Sequence, residues 1–231
     1  TDVDHLKENG QFFTPPIIAE IMSLLCLNKK PKKVLDPAVG CGILLEKLYQ
    51  ELISDQSVDI HNYKFNIEAT AIDKDPNMIL ATFLNFNEKK LPIPNFKVLD
   101  YLALKSPLKE DLIIANPPYY KSSKMKNRDE IIRNISSYLN YEIPSISNIY
   151  SLFIYKAFID LNENGKMVFI TPSEFLNVGY GKALKKFLKE KTALQKLILF
   201  NPSHKFFDEG LSTACITVAQ KSKPNDKVEL I

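Results

Sequence analysis

Two consecutive prolines lie one residue after an apolar run in the middle of the chain and fix where a strand must stop. The run covers residues 111–115, and the prolines are Pro117 and Pro118. An apolar run of this length predicts a buried strand, which neither proline can continue because proline has no backbone N–H to donate. Proline also holds the residue before it extended, so Asn116 and Pro117 are expected at a rigid strand end.

The corner formed by Asn116, Pro117, Pro118 and Tyr119 offers an amide, a fixed carbonyl and an aromatic ring. Together these groups suit a flat group that carries a nitrogen. Taken alone, the same residues are equally typical of a turn that ends a strand, because proline and asparagine are common turn residues. The other strand ends of the chain are needed to choose between the two interpretations.

A glycine turn follows an earlier strand. The strand is predicted at residues 32–36, Gly40 and Gly42 form the turn, and a helix starts at Ile43. This order is typical of the first unit of a nucleotide-binding α/β fold, where glycine lets the backbone approach a ligand and the helix N-terminus offers unpaired N–H groups. Asp36, at the strand end, has the wrong charge for a phosphate and suits a cationic or zwitterionic nucleoside. A plain Asp-Pro turn is the alternative.

Four successive strands are predicted to end in polar residues: Asp36, Asp73, Asp100 and Asn116. In open α/β sheets the carboxyl ends of parallel strands line one crevice, and an acid at the end of the second strand accepts hydrogen bonds from ribose hydroxyls. Asp73 is therefore the predicted ribose ligand. Asp75 precedes a proline and is predicted to cap the next helix.

Composition narrows the class of protein. The chain has 231 residues, of which 45% are hydrophobic and 25% charged, so a single globular domain is expected. A net charge of +3 is too small to argue for a polyanionic partner. The three cysteines and three histidines lie far apart, which argues against disulfides and against a metal site. No apolar run or leader pattern predicts membrane insertion or export, so a cytoplasmic protein is expected.

Residues 119–147 are the least regular stretch. Its first ten residues include two tyrosines and four basic side chains: Lys121, Lys124, Lys126 and Arg128. Cations beside aromatic rings suit nucleic acid, since cations contact phosphates and rings stack on bases. A solvated loop is an equally good interpretation.

These motifs resemble a known family. The segment Phe13-Thr14-Pro15, the glycine turn after Asp36, the acids Asp73 and Asp100, and the corner from Asn116 to Tyr119 are together similar to gamma-class S-adenosylmethionine-dependent DNA N6-adenine methyltransferases of bacterial restriction-modification systems. The resemblance covers nearly the whole chain. It implies the class I methyltransferase fold: an α/β, Rossmann-like, seven-stranded, mostly parallel sheet with helices on both faces. It also implies S-adenosylmethionine as cofactor and double-stranded DNA with a flipped adenine as partner.

The resemblance implies roles for individual residues. The implied cofactor-binding residues are Thr14, Pro15, Asp36, Ala38, Gly40, Asp73, Asp100, Tyr101 and Phe153. The implied catalytic residues are Asn116, Pro117, Tyr119 and Phe207, with Phe206 one position away from the second stacking aromatic.

The resemblance also implies how the chain is divided. Residues 1–231 would form one catalytic domain, in which residues 1–30 close over the cofactor and residues 119–147 form a variable basic loop. Such enzymes normally continue into a target-recognition domain. We therefore expect that sequence-specific recognition needs a separate or C-terminal module that is absent from these residues.

Two rival functions are compatible with the same residues. A protein methyltransferase acting on a glutamine amide, for example in a translation release factor, could use the same corner for a planar amide. The upstream Phe13-Thr14-Pro15 segment, the basic loop and Phe207 argue against it. The other rival is a non-catalytic cofactor- or DNA-binding subunit, against which the intact corner argues.

Overall fold

The computed structural model describes most of the chain and shows one continuous sheet flanked by helices. The described residues are 13–27, 31–54, 67–120, 125, 127–179, 181–200, 213–225 and 227–231. The helices are α1 (Pro16–Cys26), α2 (Ile43–Ser54), α3 (Pro76–Glu88), α4 (Arg128–Leu139), α5 (Ile149–Asp160) and α6 (Gly181–Lys191). The strands are β1 (Lys33–Asp36), β2 (Glu68–Asp73), β3 (Asn95–Val98), β4 (Glu110–Ala115), β5 (Leu161–Pro172), β6 (Ala193–Leu199), β7 (Ala214–Gln220) and β8 (Glu229–Leu230). Single 3-10 turns lie at Tyr101–Ala103 and Ser173–Leu176.

The strands lie in the order β3-β2-β1-β4-β5-β7-β6-β8. Strands β1 to β5 pair in parallel, and β7 runs antiparallel between β5 and β6. The predicted Rossmann-like, mostly parallel α/β sheet is confirmed. The predicted number of strands was seven, whereas the described residues also contain the two-residue β8 beside β6. So short a strand carries no periodic pattern that a sequence could reveal.

The helices cover both faces of the sheet, as predicted. Alternate residues of β4 point to opposite faces: Leu112 and Ile114 belong to the core under α1, α2 and α3, and Ile113 and Ala115 belong to the core under α4, α5 and α6. All four are buried. Burying a large aliphatic side chain contributes roughly 1.5–3 kcal/mol, so both cores stabilise the same central strand.

Local signals set where several elements begin and end. Asp75 caps α3, because its Oδ1 accepts a hydrogen bond from the Asn77 backbone N–H at 2.9 Å and Pro76 occupies the first helical position. That predicted cap is confirmed. Strand β4 ends at Ala115, directly before Asn116 and the proline pair, which is also as predicted.

Strand β5 is longer than its apolar core predicts. It begins at Leu161, six residues before the apolar run that starts at Met167, and its pairing with β4 is irregular between Glu110 and Leu112. Gly165 lies in this irregular stretch, where an added Cβ would come within 3.0 Å of the Glu110 carbonyl oxygen. Polar residues in a distorted strand start do not alternate, so periodicity could not predict them.

The described residues contain neither a membrane-spanning helix nor a metal-binding cluster of side chains. No helix there has the length and apolar character needed to cross a bilayer. In the same residues, no group of three or more His, Cys, Asp or Glu side chains is arranged to hold a metal ion.

Candidate functional site

The strand-end residues of the predicted site lie at one edge of the sheet. Strands β1, β2 and β4 end at Asp36, Asp73 and Ala115, and Asp100 follows β3 by two residues. These strands are parallel, so their carboxyl ends share an edge. The strand that follows β1 in the chain lies on one side of the β1–β4 pair, and the strand that follows β4 lies on the other side. A crevice at such a reversal of strand order is where open α/β sheets bind ligands.

Asp36 is a fully buried acid with one free oxygen. Its Oδ1 accepts a hydrogen bond from the Ala38 backbone N–H at 3.1 Å, and its Oδ2 has no partner among the described residues. Burial raises the pKa of Asp36 to about 8, and the charge of Asp73 adds to the increase. A buried carboxyl group with an unpartnered oxygen is costly unless a ligand completes it, and a positively charged group is the partner that would favour its ionised form.

The turn after β1 depends on two glycines with positive φ, +52° at Gly40 and +82° at Gly42. An added Cβ on Gly42 would lie 2.5 Å from Cγ2 of Thr82 and 3.0 Å from the Phe86 ring. The turn therefore packs directly against α3, and no larger residue fits at Gly42. At Gly40, by contrast, an added Cβ would meet nothing within 4 Å, so open space lies next to the backbone where a ligand could approach.

Asp73 organises the glycine turn as well as facing the crevice. Its two carboxylate oxygens each accept a 3.0 Å hydrogen bond, one from the Gly40 backbone N–H and one from the Asp75 backbone N–H. The Thr82 hydroxyl donates to the Gly40 carbonyl at 2.7 Å and fixes the turn from the other side. Because a carboxylate has about four acceptor positions, Asp73 keeps capacity for ribose hydroxyls. Burial raises its pKa, and the nearby charge of Asp75 acts in the same direction.

Asp100 and Tyr101 are placed very differently although they are neighbours in sequence. Asp100 is exposed, and its Oδ1 accepts from the Leu102 backbone N–H at 3.0 Å. Tyr101 is 1% exposed, and its hydroxyl donates to Asp160 at 2.7 Å. Its ring packs against Phe153, with 5.3 Å between the ring centroids. The Tyr101 side chain therefore packs in the core, and its expected contact with the cofactor stays a prediction.

Asp160 is the centre of a buried network that sequence reasoning missed. Lys156 lies one helical turn earlier on α5 and donates to both Asp160 carboxylate oxygens, at 2.7 and 2.8 Å. The Leu108 backbone N–H also donates to Asp160, at 3.2 Å. Both charged side chains are almost fully buried, and the hydrogen bonds that surround them compensate the loss of water. The network attaches the segment after β3, which carries Asp100, to helix α5. The i to i+4 spacing of a Lys and an Asp in an apolar helix was the available signal.

The corner after β4 is closed by contacts from distant parts of the chain. The Asn116 Nδ2 donates to the Thr14 hydroxyl at 3.0 Å. The Tyr119 hydroxyl contacts the Asn116 Oδ1 and lies 3.0 Å from the Ile170 carbonyl oxygen. Thr14 and Pro117 are both buried. The structure thus brings the Thr14 and Asn116 side chains together, a contact that no local pattern predicts. Burial raises the pKa of Tyr119, with Tyr150 as a further cause.

Pro15 precedes α1, and its carbonyl oxygen accepts the first backbone hydrogen bonds of that helix, from Ile18 and Ala19 at 3.0 Å each. It therefore fixes the direction in which Thr14 leaves the helix and approaches the corner.

Of the remaining predicted residues, Arg128 alone lies within the part of the chain that the structure describes. Phe206, Phe207, Lys121, Lys124 and Lys126 lie outside the described residues. Arg128 lies in the first turn of α4 and forms an ion pair with Asp129, at 3.0 Å between Nη2 and Oδ1. Its expected phosphate contact stays a prediction.

Comparison with known proteins identifies a family and several relatives. A family profile described as Eco57I restriction-modification methylase matches residues 16–207. The chain is 34% identical over 230 residues to the type II methyltransferase M.AccI of Acinetobacter calcoaceticus, covering 98% of this chain and 39% of that protein. It is 27% identical to the type II methyltransferase M.HincII of Haemophilus influenzae, covering 96% of this chain and 39% of that protein. The chain thus spans about two fifths of the length of the curated relatives it matches.

A solved structure shares the fold. The methyltransferase subunit of a type I restriction-modification system from Streptococcus thermophilus superposes with a TM-score of 0.75, at 20% identity, over 95% of this chain and 47% of that one.

Proposed function

Because the chain belongs to the Eco57I restriction-modification methylase family, we propose that it transfers a methyl group from S-adenosylmethionine to the N6 amine of a flipped adenine in DNA, as the modification activity of a restriction-modification system. The observation that supports the proposal is the corner after β4. Asn116, Pro117 and Tyr119 follow that strand at the same edge of the sheet where β1 and β2 end in Asp36 and Asp73, and the Tyr119 hydroxyl contacts the Asn116 amide oxygen.

The residues of the crevice fit S-adenosylmethionine. Asp36 presents an unpartnered buried oxygen that suits a positively charged group, and open space lies beside the Gly40 backbone. Asp73 can still accept hydrogen bonds from ribose hydroxyls. Asp100 has an exposed carboxylate and follows β3, the neighbour of β2 in the sheet. When bound, S-adenosylmethionine supplies a methyl group activated by a positively charged sulfur. Thr14, Pro15, Ala38 and Phe153 are the further residues proposed to contact it.

The corner supplies catalysis by orientation. An aromatic amine is a weak nucleophile, because its lone pair is delocalised into the ring. The Asn116 Oδ1 and the Pro117 carbonyl are proposed to accept the two N–H bonds of the target amine, which raises the electron density on nitrogen and fixes its direction. Transfer would break the bond between the methyl carbon and sulfur and leave the amine nitrogen positively charged and therefore acidic, so its proton passes to solvent afterwards. Positioning by preorganised dipoles thus requires no histidine or cysteine base. The Tyr119 hydroxyl now contacts Asn116 Oδ1, so the amine must displace it.

Flipping the adenine out of the duplex costs free energy, which stacking on aromatic side chains would offset. An adenine within a duplex cannot reach a corner recessed at the sheet edge, so it must leave the base stack at a cost of a few kcal/mol. Stacking on the Tyr119 ring, and on Phe207 as the second predicted aromatic, would return roughly 1–3 kcal/mol per base contact. Lys121, Lys124, Lys126 and Arg128 are proposed to contact the phosphates beside the flipped base.

The reaction can be tested with labelled cofactor. We expect label from S-adenosylmethionine to enter unmethylated DNA as N6-methyladenine. The Asn116→Ala variant should lose this activity. Its cofactor affinity should stay within about threefold of wild type, because Asn116 is proposed to contact the target and not the cofactor. A matched control is Asn87→Ala, an exposed asparagine in the last turn of α3, whose backbone conformation suits alanine. Label in a release-factor glutamine with none in DNA would favour the rival function, and an Asn116→Ala enzyme with wild-type turnover would remove Asn116 from the mechanism.

A further inference from the structure

Lys74 and Tyr120 form a contact that none of the roles above uses. Lys74 directly follows Asp73 at the end of β2, and Tyr120 directly follows the corner. The Lys74 Nζ lies 5.3 Å from the centroid of the Tyr120 ring, which is within the range of a cation–π interaction. Lys74 is exposed and Tyr120 is half-buried, so the contact lies at the rim of the molecule and not in its core.

The order of strands decides what this contact crosses. Strand β1 lies between β2 and β4. Adjacent strands are about 4.8 Å apart, so a contact from the end of β2 to the segment after β4 bridges roughly 10 Å. The strand that it bridges is β1, whose end carries Asp36 and the glycine turn. The contact therefore spans the crevice at the point where the strand order reverses, between β1 and β4.

Tyr120 is also held from its other sides. Its ring packs against the core under α5, and its carbonyl oxygen accepts a 3.5 Å hydrogen bond from the Ile149 backbone N–H at the start of that helix. Burial raises the pKa of Tyr120, and the negative charge of Asp100 contributes, so Asp100 lies close enough to act on it. Tyr120 is thus held by Lys74 of the segment after β2 and by the start of α5.

We propose that Tyr120 and Lys74 form the outer wall of the pocket for the adenosine part of the cofactor, with Lys74 holding the Tyr120 ring across the crevice. The inference rests on the proposed function and adds two binding residues to it. Asp73 and Asp100 approach the nucleoside from the sheet, and the Tyr120 ring covers it from solvent. Departure of the nucleoside requires the Lys74–Tyr120 contact to open, so the wall acts mainly on the rate of dissociation.

The test measures dissociation of S-adenosylhomocysteine from the 231-residue protein by stopped flow. We expect Tyr120→Ala to speed dissociation about tenfold, the equivalent of one stacking contact. Tyr120→Phe keeps the ring and should stay within about twofold of wild type. Lys74→Met keeps the apolar stem but removes the charge, so it should speed dissociation about threefold. Tyr138→Ala is the matched control, because Tyr138 is an exposed tyrosine on α4, outside the crevice.

Fragment binding gives a second readout. Adenosine affinity should fall in Tyr120→Ala, and L-methionine affinity should not change. Lys74 is exposed, so Lys74→Met tests the wall even if Tyr120→Ala folds poorly. Wild-type dissociation rates in both Tyr120→Ala and Lys74→Met would contradict the proposed role of these two residues without contradicting the proposed function. Failure of the wild-type protein to bind S-adenosylhomocysteine at all would overturn both.

Discussion

At the scale of single residues, the direction of the Asn116 amide is set by the Thr14 hydroxyl, which accepts a hydrogen bond from its Nδ2 across a sequence separation of 102 residues. That bond turns Oδ1 away from Thr14, toward the Tyr119 hydroxyl, which the target amine is proposed to displace. Thr14 is therefore a positioning residue for the proposed reaction as well as a predicted cofactor contact. The N-terminal segment and the corner act as one unit.

The Thr14 contact predicts a specific kinetic defect. Thr14→Val keeps the shape but removes the hydroxyl, so the Asn116 amide can rotate and kcat should fall about tenfold, which corresponds to one hydrogen bond of ordinary strength. Thr14→Ser should restore most of the rate. Steady-state kinetics combined with separate calorimetry of cofactor binding distinguishes positioning from cofactor affinity. If Thr14→Val loses only cofactor affinity at unchanged kcat, the positioning role is wrong.

The Asp36 carboxyl group is expected to release a proton when the cofactor binds. Its pKa in the folded protein is raised to about 8, so the carboxyl group is mostly protonated at pH 7. A cationic ligand beside it favours the ionised form, so binding at pH 7 should release close to one proton, and affinity should rise as pH increases from 6 to 8. Calorimetry in buffers of different ionisation enthalpy counts the proton. The Asp36→Asn variant should release none, and equal release by both proteins would exclude Asp36.

At the scale of elements, the glycine turn and α3 are one packing unit. Gly42 contacts Thr82 and Phe86 of α3, while the Gly40 carbonyl is held by the Thr82 hydroxyl. Asp73 connects the same turn to β2. The β1 turn is thus shaped by the helix that follows β2, and the site depends on two successive βα units.

The two glycines form a matched pair for a stability test. Gly42→Ala adds a Cβ to a positive-φ position and also forces it against α3, so the free energy of unfolding should fall by about 2–4 kcal/mol. Gly40→Ala meets open space and should lose only the cost of the left-handed conformation, about 1–2 kcal/mol. Urea unfolding followed by circular dichroism measures both. Equal losses in the two variants would mean that the turn does not press on α3.

At the scale of the whole molecule, the described sheet carries the proposed cofactor crevice and the corner from Asn116 to Tyr119. The chain spans about two fifths of the length of M.AccI and M.HincII. The net charge of the chain is only +3. Its nucleic-acid affinity is therefore expected to come from local basic side chains and not from an overall field.

We predict weak, salt-dependent DNA binding by the 231-residue protein. Dissociation constants near 10⁻⁴ to 10⁻⁶ M are typical of nonspecific contacts at physiological salt. Fluorescence anisotropy on duplexes of unrelated sequence should give values within about threefold of one another, because specific readout usually contributes a factor of 10³ or more. A single preferred duplex, bound a thousandfold more tightly, would show that these residues read sequence by themselves.

Much of the fold was predictable because its signals are local. The proline pair after Ala115 stops β4, Asp75 and Pro76 start α3, and apolar runs give the central strands. The start of β5 and the two-residue β8 were not predictable, since irregular pairing and very short strands leave no periodic pattern. Of the candidate site, the strand-end residues share one edge as expected.

What the sequence by itself determined is which residues stand at strand ends, because strand ends depend on short-range rules of proline, glycine and apolar patterning. Tertiary structure alone decided which side chains meet. The Thr14–Asn116 bond, the turn of Tyr101 toward Asp160 and the contact of Lys74 with Tyr120 all join residues far apart in the chain. Such contacts follow from the order of strands in the sheet, and no local pattern encodes that order.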